Sequence, residues 1–431
     1  MQGRLNLFQA TMLRWRDLHP YSAVHVVRVM KRCDATRLEA QIAARLESAG
    51  LTGLNLDRKR ARYEFTGGRE AVTLTVLEGG ASAAETLRLE IVRQLNAPFP
   101  REGGFSPFRF FAVDSGAFFD LGLAYDHFIA GGDSIAVLLE HCLDGYGEER
   151  RDETRSWTPR LYPHTYRRLF LRRFGEALTG LGYLRSLAAS ARRTFRAPCH
   201  RERDASNGFL CYRVDAAALD RLRNTAKAWA VTVNDLMLAV LLIALIPVTA
   251  DREAAPRRRE LGVASIVNLR SELESDAHAA FGQFLSSLRF SHPAPRGAAL
   301  RELAAAVHAE SRRVLSRKLY LQNLLALGVS GLMWPLLSPA QRRCFLAKHY
   351  PIWAGLTALR VDPLWDGASG GAQLREYLRA VSTGPLAPIV LAVTTLGGTM
   401  WLGVSFRTAD VEAATAERVA QEFLRHMASL E

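Results

Sequence analysis

The 431-residue sequence is short of acid: 43 Asp and Glu face 56 Lys and Arg, a formal charge of +13. Its five cysteines, Cys33, Cys142, Cys199, Cys211 and Cys344, are odd in number, scattered and never spaced as CxxC. That argues against a disulfide framework or zinc ribbon and for a reducing, cytoplasmic setting. No metal-ligand spacing is visible either. Long apolar runs are scarce. Leu236–Ala250 is uncharged but only 15 residues long and cut by Pro247, whereas Leu319–Ala340 is uncharged over 22 residues yet carries Gln322, Asn323, Ser330, Gly331 and Pro335. A spanning helix needs about 20 predominantly apolar residues. Both stretches therefore read as buried helices, the second with a peripheral contact to a lipid surface as its alternative. Met1–Leu18 lacks an unbroken apolar stretch and is not expected to be a secretory signal.

What is present is ordinary for a globular chain, with 48% apolar and 23% charged residues. The length exceeds what one core usually supports, so two lobes are expected in a monomer: 1–175 and 176–431, joined through a basic segment at about 150–203. That segment holds 14 arginines and four acids. The surplus of base asks for an acidic partner.

Periodicity places helices at Ala35–Ala49 and Ala83–Leu95 and strands at Ala71–Leu77, Phe108–Val113 and Phe118–Tyr125. After Gly131-Gly132 a helix is expected, capped by Asp133 or Ser134. The second half reads as strand Gly208–Val214, helix Asp215–Ala230, a buried helix from near Asn234 and strands Val263–Leu269 and Leu285–Phe290. Ala298–Leu325 is largely helical, followed by strands Pro388–Thr395 and Met400–Phe406 and a last helix.

One segment carries chemistry. In Leu123–Leu138 (LAYDHFIAGGDSIAVL) His127 ends a strand four residues before a glycine pair. Alternation sets it on the side of Leu121, Leu123 and Tyr125, with Asp126 opposite. An imidazole beside a turn without side chains can meet a substrate and act as general base at neutral pH.

This segment resembles the HHxxxDG motif of the chloramphenicol acetyltransferase-like superfamily, which includes acyl-CoA acyltransferases, wax ester synthases, polyketide-associated acyltransferases and nonribosomal peptide condensation domains. Other landmarks follow in family order: Leu95-Asn-Ala-Pro-Phe99 with Pro107-Phe108-Arg109, Thr232-Val-Asn-Asp-Leu236, Val267-Asn-Leu-Arg270 with Phe281-Gly282, and Leu396-Gly-Gly398 with Trp401–Ser405. The resemblance implies an α/β fold of two similar mixed-sheet lobes with an active-site tunnel between them. It implies acyl transfer from a coenzyme A or phosphopantetheine thioester, supplied as co-substrate, to a hydroxyl or amine on a small molecule or lipid. His127 would be the base, Gly131 and Gly132 would give clearance, and N–H groups near Gly132 would hold the oxyanion. No tightly bound cofactor or metal is implied.

The motif departs from its family at two positions. Asp126 replaces the first histidine, and Gly131 replaces the aspartate that forms a structural ion pair. Asp133 either takes that role or caps the helix. Thr357 lies roughly where a Ser-Asn pair is usual and, with Asn268, is a candidate tunnel residue of the second lobe. Asp126 and Ser134 also fit two positions of the heterocyclisation pattern, but Gly131 breaks it. Gly131–Ile135 further reads as a phosphopantetheine attachment signature with Ser134 as the modified residue; the preceding strand and Ala130 stand against it. Arg167-Arg168 and Arg172-Arg173 form a candidate ridge for an acidic acyl carrier protein or coenzyme A phosphates. His164 is a lesser candidate for lining an opening. Nucleic acid is not expected, because no recognised motif is present.

Overall fold

The structure, a computed structural model, describes residues 1–146, 157–161, 166–199, 206–272, 280–365 and 374–430. His164 and some of the basic segment lie outside the described residues.

The first sheet has five strands in the spatial order Leu374–Val381, Ser22–Val29, Phe119–Asp126, Phe108–Asp114 and Leu74–Glu78. Neighbours run antiparallel except the last pair. Period-two alternation splits the faces of these strands. Val24, Val26, Phe111 and Ala124 pack under the helix Ala83–Asn96. Ala23, Val27, Leu121, Leu123 and Tyr125 join the core on the other face, with Leu138 and Leu139 of the helix Gly132–Leu143.

The second sheet has six strands: Asn207–Val214, Thr399–Arg407, Ile389–Leu396, Ala354–Arg360, Leu261–Asn268 and Leu285–His292. Its core centres on the helix Val233–Leu245, buried over most of its length and capped by Thr232, whose hydroxyl accepts from the Asp235 N–H at 3.1 Å. The uncharged run from Leu236 is thus a core helix, as its length implied. Among the described residues no single helix is long and apolar enough to cross a membrane.

The two halves of the chain are interlocked. Strand Leu374–Val381 belongs by sequence to the second half but pairs with Ser22–Val29 in the first sheet. A cut at residue 175 would therefore separate strands that are hydrogen-bonded to each other. This crossing strand lies against Thr399–Arg407, where a Cβ on Gly403 would sit 2.1 Å from the Arg379 carbonyl oxygen. Only a residue without a side chain permits that approach.

Several expectations are corrected. Cys199 and Cys344 are joined in a disulfide, with their Cα atoms 5.7 Å apart. Spacing along the chain had no bearing on this pair, because 145 residues separate them and packing brings them together. The motif helix is capped by Gly131, with no side-chain cap from Asp133 or Ser134. The run Leu319–Ala340 is only half buried. Tyr320–Leu324 enter the core, while Leu332 and Leu336 are 80% and 85% exposed. The helical stretch expected over Ala298–Leu325 is two helices, Leu300–Ser316 and Tyr320–Met333, broken near Lys318 at φ 52°.

Candidate active site

A cavity of about 180 Å³ lies between the sheets. The first half contributes Tyr21, His25, Tyr125, His127 and Gly131–Asp133, the second Asn234, Ser265, Asn268, Arg270, Thr357 and Arg379. His127, the catalytic candidate, follows directly on strand Phe119–Asp126. Its ring packs 5.5 Å from Tyr21 and 5.7 Å from Tyr125, centroid to centroid, and opens on the cavity.

Gln283 braces the His127 turn. Its amide nitrogen donates to the carbonyls of His127 and Ala130, each at 2.7 Å, and lies 3.3 Å from His127 Nδ1. Both amide hydrogens are used on carbonyls, so none is left for Nδ1. The Ala130 carbonyl near the ring favours its protonated form. Burial and the charge of Arg379 nevertheless push the His127 pKa down to about 3. The imidazole is neutral across the physiological range.

The two motif departures are resolved differently. Asp126 is buried and forms an ion pair with Arg16, whose other nitrogen donates to the Arg101 carbonyl at 2.7 Å. Burial still raises the Asp126 pKa to about 6, against the lowering effect of Arg16. This residue anchors the strand end from behind and does not line the cavity. Asp133, two positions after Gly131, forms an ion pair with Arg270. Its Oδ2 lies 3.4 Å from Arg270 Nε and accepts from Asn268 Nδ2 at 2.5 Å. Arg270 reaches further, to Ser134 Oγ and to the carbonyls of Ala280 and Gly282. The motif helix is thereby tied to the loop of the second half.

Ser134 is 4% exposed, and its hydroxyl is held by Arg270, the Gly282 N–H and the Ala280 carbonyl. That burial removes the reading of Ser134 as a pantetheine attachment point. The Gly131 N–H is spent on the Gly282 carbonyl at 3.0 Å. The N–H groups of Gly132 and Asp133, in the first helical turn, have no hydrogen-bond partner among the described residues. Thr357 lies on strand Ala354–Arg360, with its carbonyl accepting from Arg379 Nη2 at 3.0 Å. Asn268 and Thr357 are therefore both brought to the cavity.

The arginine ridge is not brought there. Arg167 and Arg168 are exposed on the helix Arg167–Arg172, outside the cavity lining. Arg172 donates to the Glu272 carbonyl, and Arg173 lies 3.2 Å from its carboxylate.

Two residues escaped the sequence reading. His25 stands opposite Leu123 in the register, with Nδ1 2.7 Å from Tyr377 Oη and Nε2 3.3 Å from Tyr125 Oη. Arg379 stands opposite His25 on the crossing strand. The alternation Tyr377, Arg379, Val381 toward the cavity and Leu378, Ala380 toward the helix Ala83–Asn96 was legible only once that strand was located.

No family model matches the sequence. No curated protein matches it either. Solved structures do resemble it. The first condensation domain of the calcium-dependent antibiotic synthetase, in complex with a substrate analogue, superposes with a TM-score of 0.70 at 14% identity, over 100% of this chain and 97% of that one. The condensation domain of Monacolin K polyketide synthase gives 0.67 at 14%, over 99% and 96%. The epimerization domain from the third module of tyrocidine synthetase B gives 0.67 at 14%, over 100% and 96%. The chain has a chloramphenicol acetyltransferase-like fold. Its two lobes are arranged as in condensation, cyclization and epimerization domains, over 99–100% of this chain.

Proposed function

We propose that this protein is a condensation-type acyltransferase of carrier-dependent biosynthesis. It takes an acyl group from a carrier-protein or coenzyme A thioester and passes it to a hydroxyl or amine. The observation that carries this reading is a neutral His127 ring that opens on a cavity between the lobes, beside the glycine turn at Gly131 and Gly132. The imidazole takes the proton of the acceptor as the acceptor oxygen or nitrogen attacks the thioester carbonyl. The carbonyl electron pair moves to oxygen, where the Gly132 and Asp133 N–H groups meet it. Collapse restores the carbonyl and expels the thiolate, which recovers the proton from the imidazolium.

Free thiol released from a panel of acyl-pantetheine and acyl-coenzyme A donors, with alcohols and amines as acceptors, tests this proposal. Acceptor-dependent release that His127→Ala removes is expected; release unaffected by His127→Ala overturns it. A second reading is favoured by Asp126 and Gly131, which replace two family residues: a degenerate relative that binds a carrier protein or acyl chain without turnover. Donor binding with no release on any acceptor would select it.

A further inference from the structure

Arg379 is 4% exposed, yet no carboxylate lies within hydrogen-bond distance of it among the described residues. Its Nε donates to Thr394 Oγ1 at 2.8 Å, and its Nη2 donates to the carbonyls of Val393 and Thr357 at 2.8 and 3.0 Å. These neutral contacts fix one edge of the guanidinium. Nη1 has no hydrogen-bond partner among the described residues, and it lies 3.1 Å from where a Cβ on Gly132 would stand. The free edge thus faces the cavity at the start of the motif helix.

The other charged and titratable groups here do not balance it. Asp133, the nearest acid acting on Arg379, is engaged by Arg270 and Asn268. His25 is clamped between two tyrosine hydroxyls, and both His25 and His127 are held neutral by burial and by Arg379 itself. A buried cation without a counter-charge is disfavoured by lost hydration. A planar guanidinium with one edge free suits a carboxylate.

We propose that Arg379 binds a carboxylate carried by the substrate, so that this site selects molecules with a free carboxylate near the reacting group. The proposal rests on the acyl-transfer reading for the word substrate, but not for the binding itself. It also couples binding to chemistry. A carboxylate on Arg379 offsets the charge that suppresses His127, so the correct substrate makes its own base stronger.

Calorimetry with hexanoate, hexanamide and pentyl phosphate tests this without turnover. Hexanoate is expected to bind about tenfold or more tighter than hexanamide. Arg379→Gln should lower hexanoate affinity to within about twofold of the amide and leave the amide unchanged. The His127 ring protons, followed by NMR against pH, should titrate higher with hexanoate bound than with hexanamide. Equal binding of hexanoate and hexanamide by the wild-type protein overturns the proposal, whether or not Arg379→Gln folds. A preference that survives Arg379→Gln, or tighter binding of pentyl phosphate than of hexanoate, does the same. Hexanoate preference without turnover on any donor would leave the carboxylate site standing and reject the acyltransferase reading.

Discussion

Asp133 Oδ2 lies 3.4 Å from Arg270 Nε, and this contact joins the motif helix of the first half to a loop of the second. Gly131 has no carboxylate to offer, and Asp133, two positions on, is the acid that meets Arg270. Because Arg270 also holds Ser134 and two carbonyls, one side chain fixes the turn on which the Gly132 and Asp133 N–H groups are displayed.

Removing either partner of this pair takes a partly buried ion pair from the seam between the motif helix and the second half. Asp133→Ala and Arg270→Ala should each lower unfolding free energy by about 1 kcal/mol. The double variant should cost clearly less than the two losses added together. Urea denaturation of the three variants measures the coupling, and additive losses would refute it.

His127→Ala should lower turnover by roughly 10² to 10⁴. The ring borders a cavity, so truncation should change the melting temperature little. Thiol release and a thermal melt on the same preparation separate the two effects.

Gly403→Ala should destabilise by about 1–3 kcal/mol. The added Cβ meets backbone, the Arg379 carbonyl at 2.1 Å, which no rotamer can relieve. Because the crossing strand must shift, hexanoate binding should weaken as well. Calorimetry alongside denaturation checks both.

The pH dependence of stability follows from the buried histidines. His19 and His127 have folded pKa values near 3, and His25 lies well below its usual value, all through burial. Between about 6.5 and 3 the unfolded chain binds protons that the native state refuses. His19 and His127 therefore each make stability fall by about 1.4 kcal/mol per unit as pH drops through that window, and His25 acts in the same direction. Asp126 acts in the opposite sense. Its folded pKa of about 6 exceeds the unfolded value, so it takes up its proton first in the native state and gives back some of the loss between about 6 and 4. Net stability should decline from pH 7 to pH 4. His19→Gln should flatten the slope in urea melts at several pH values.

The Cys199–Cys344 disulfide closes a separation of 145 residues. Alkylation of the denatured, unreduced protein should label three of the five cysteines, and all five after reduction. Reduction should cost about 4 kcal/mol of stability, which a urea midpoint reads directly.

The sequence alone placed many of the local elements and marked His127 as the candidate base. Strands such as Phe108–Asp114 and Phe119–Asp126 show period-two alternation. The helices Ala35–Ser48 and Ala83–Asn96 show a one-sided apolar stripe, and the Tyr125–Gly132 stretch has a recognisable order of residues. Such signals are local because backbone geometry repeats over two to four residues. Tertiary structure alone decided which charges meet. Asp133 finds Arg270 across 137 positions, His25 meets Arg379 only because a strand of the second half crosses into the first sheet, and Cys199 reaches Cys344 over 145. A pairing set by packing leaves no period in the chain. The guanidinium of Arg379, with no carboxylate in hydrogen-bond reach among the described residues, became visible only when its neighbours were known.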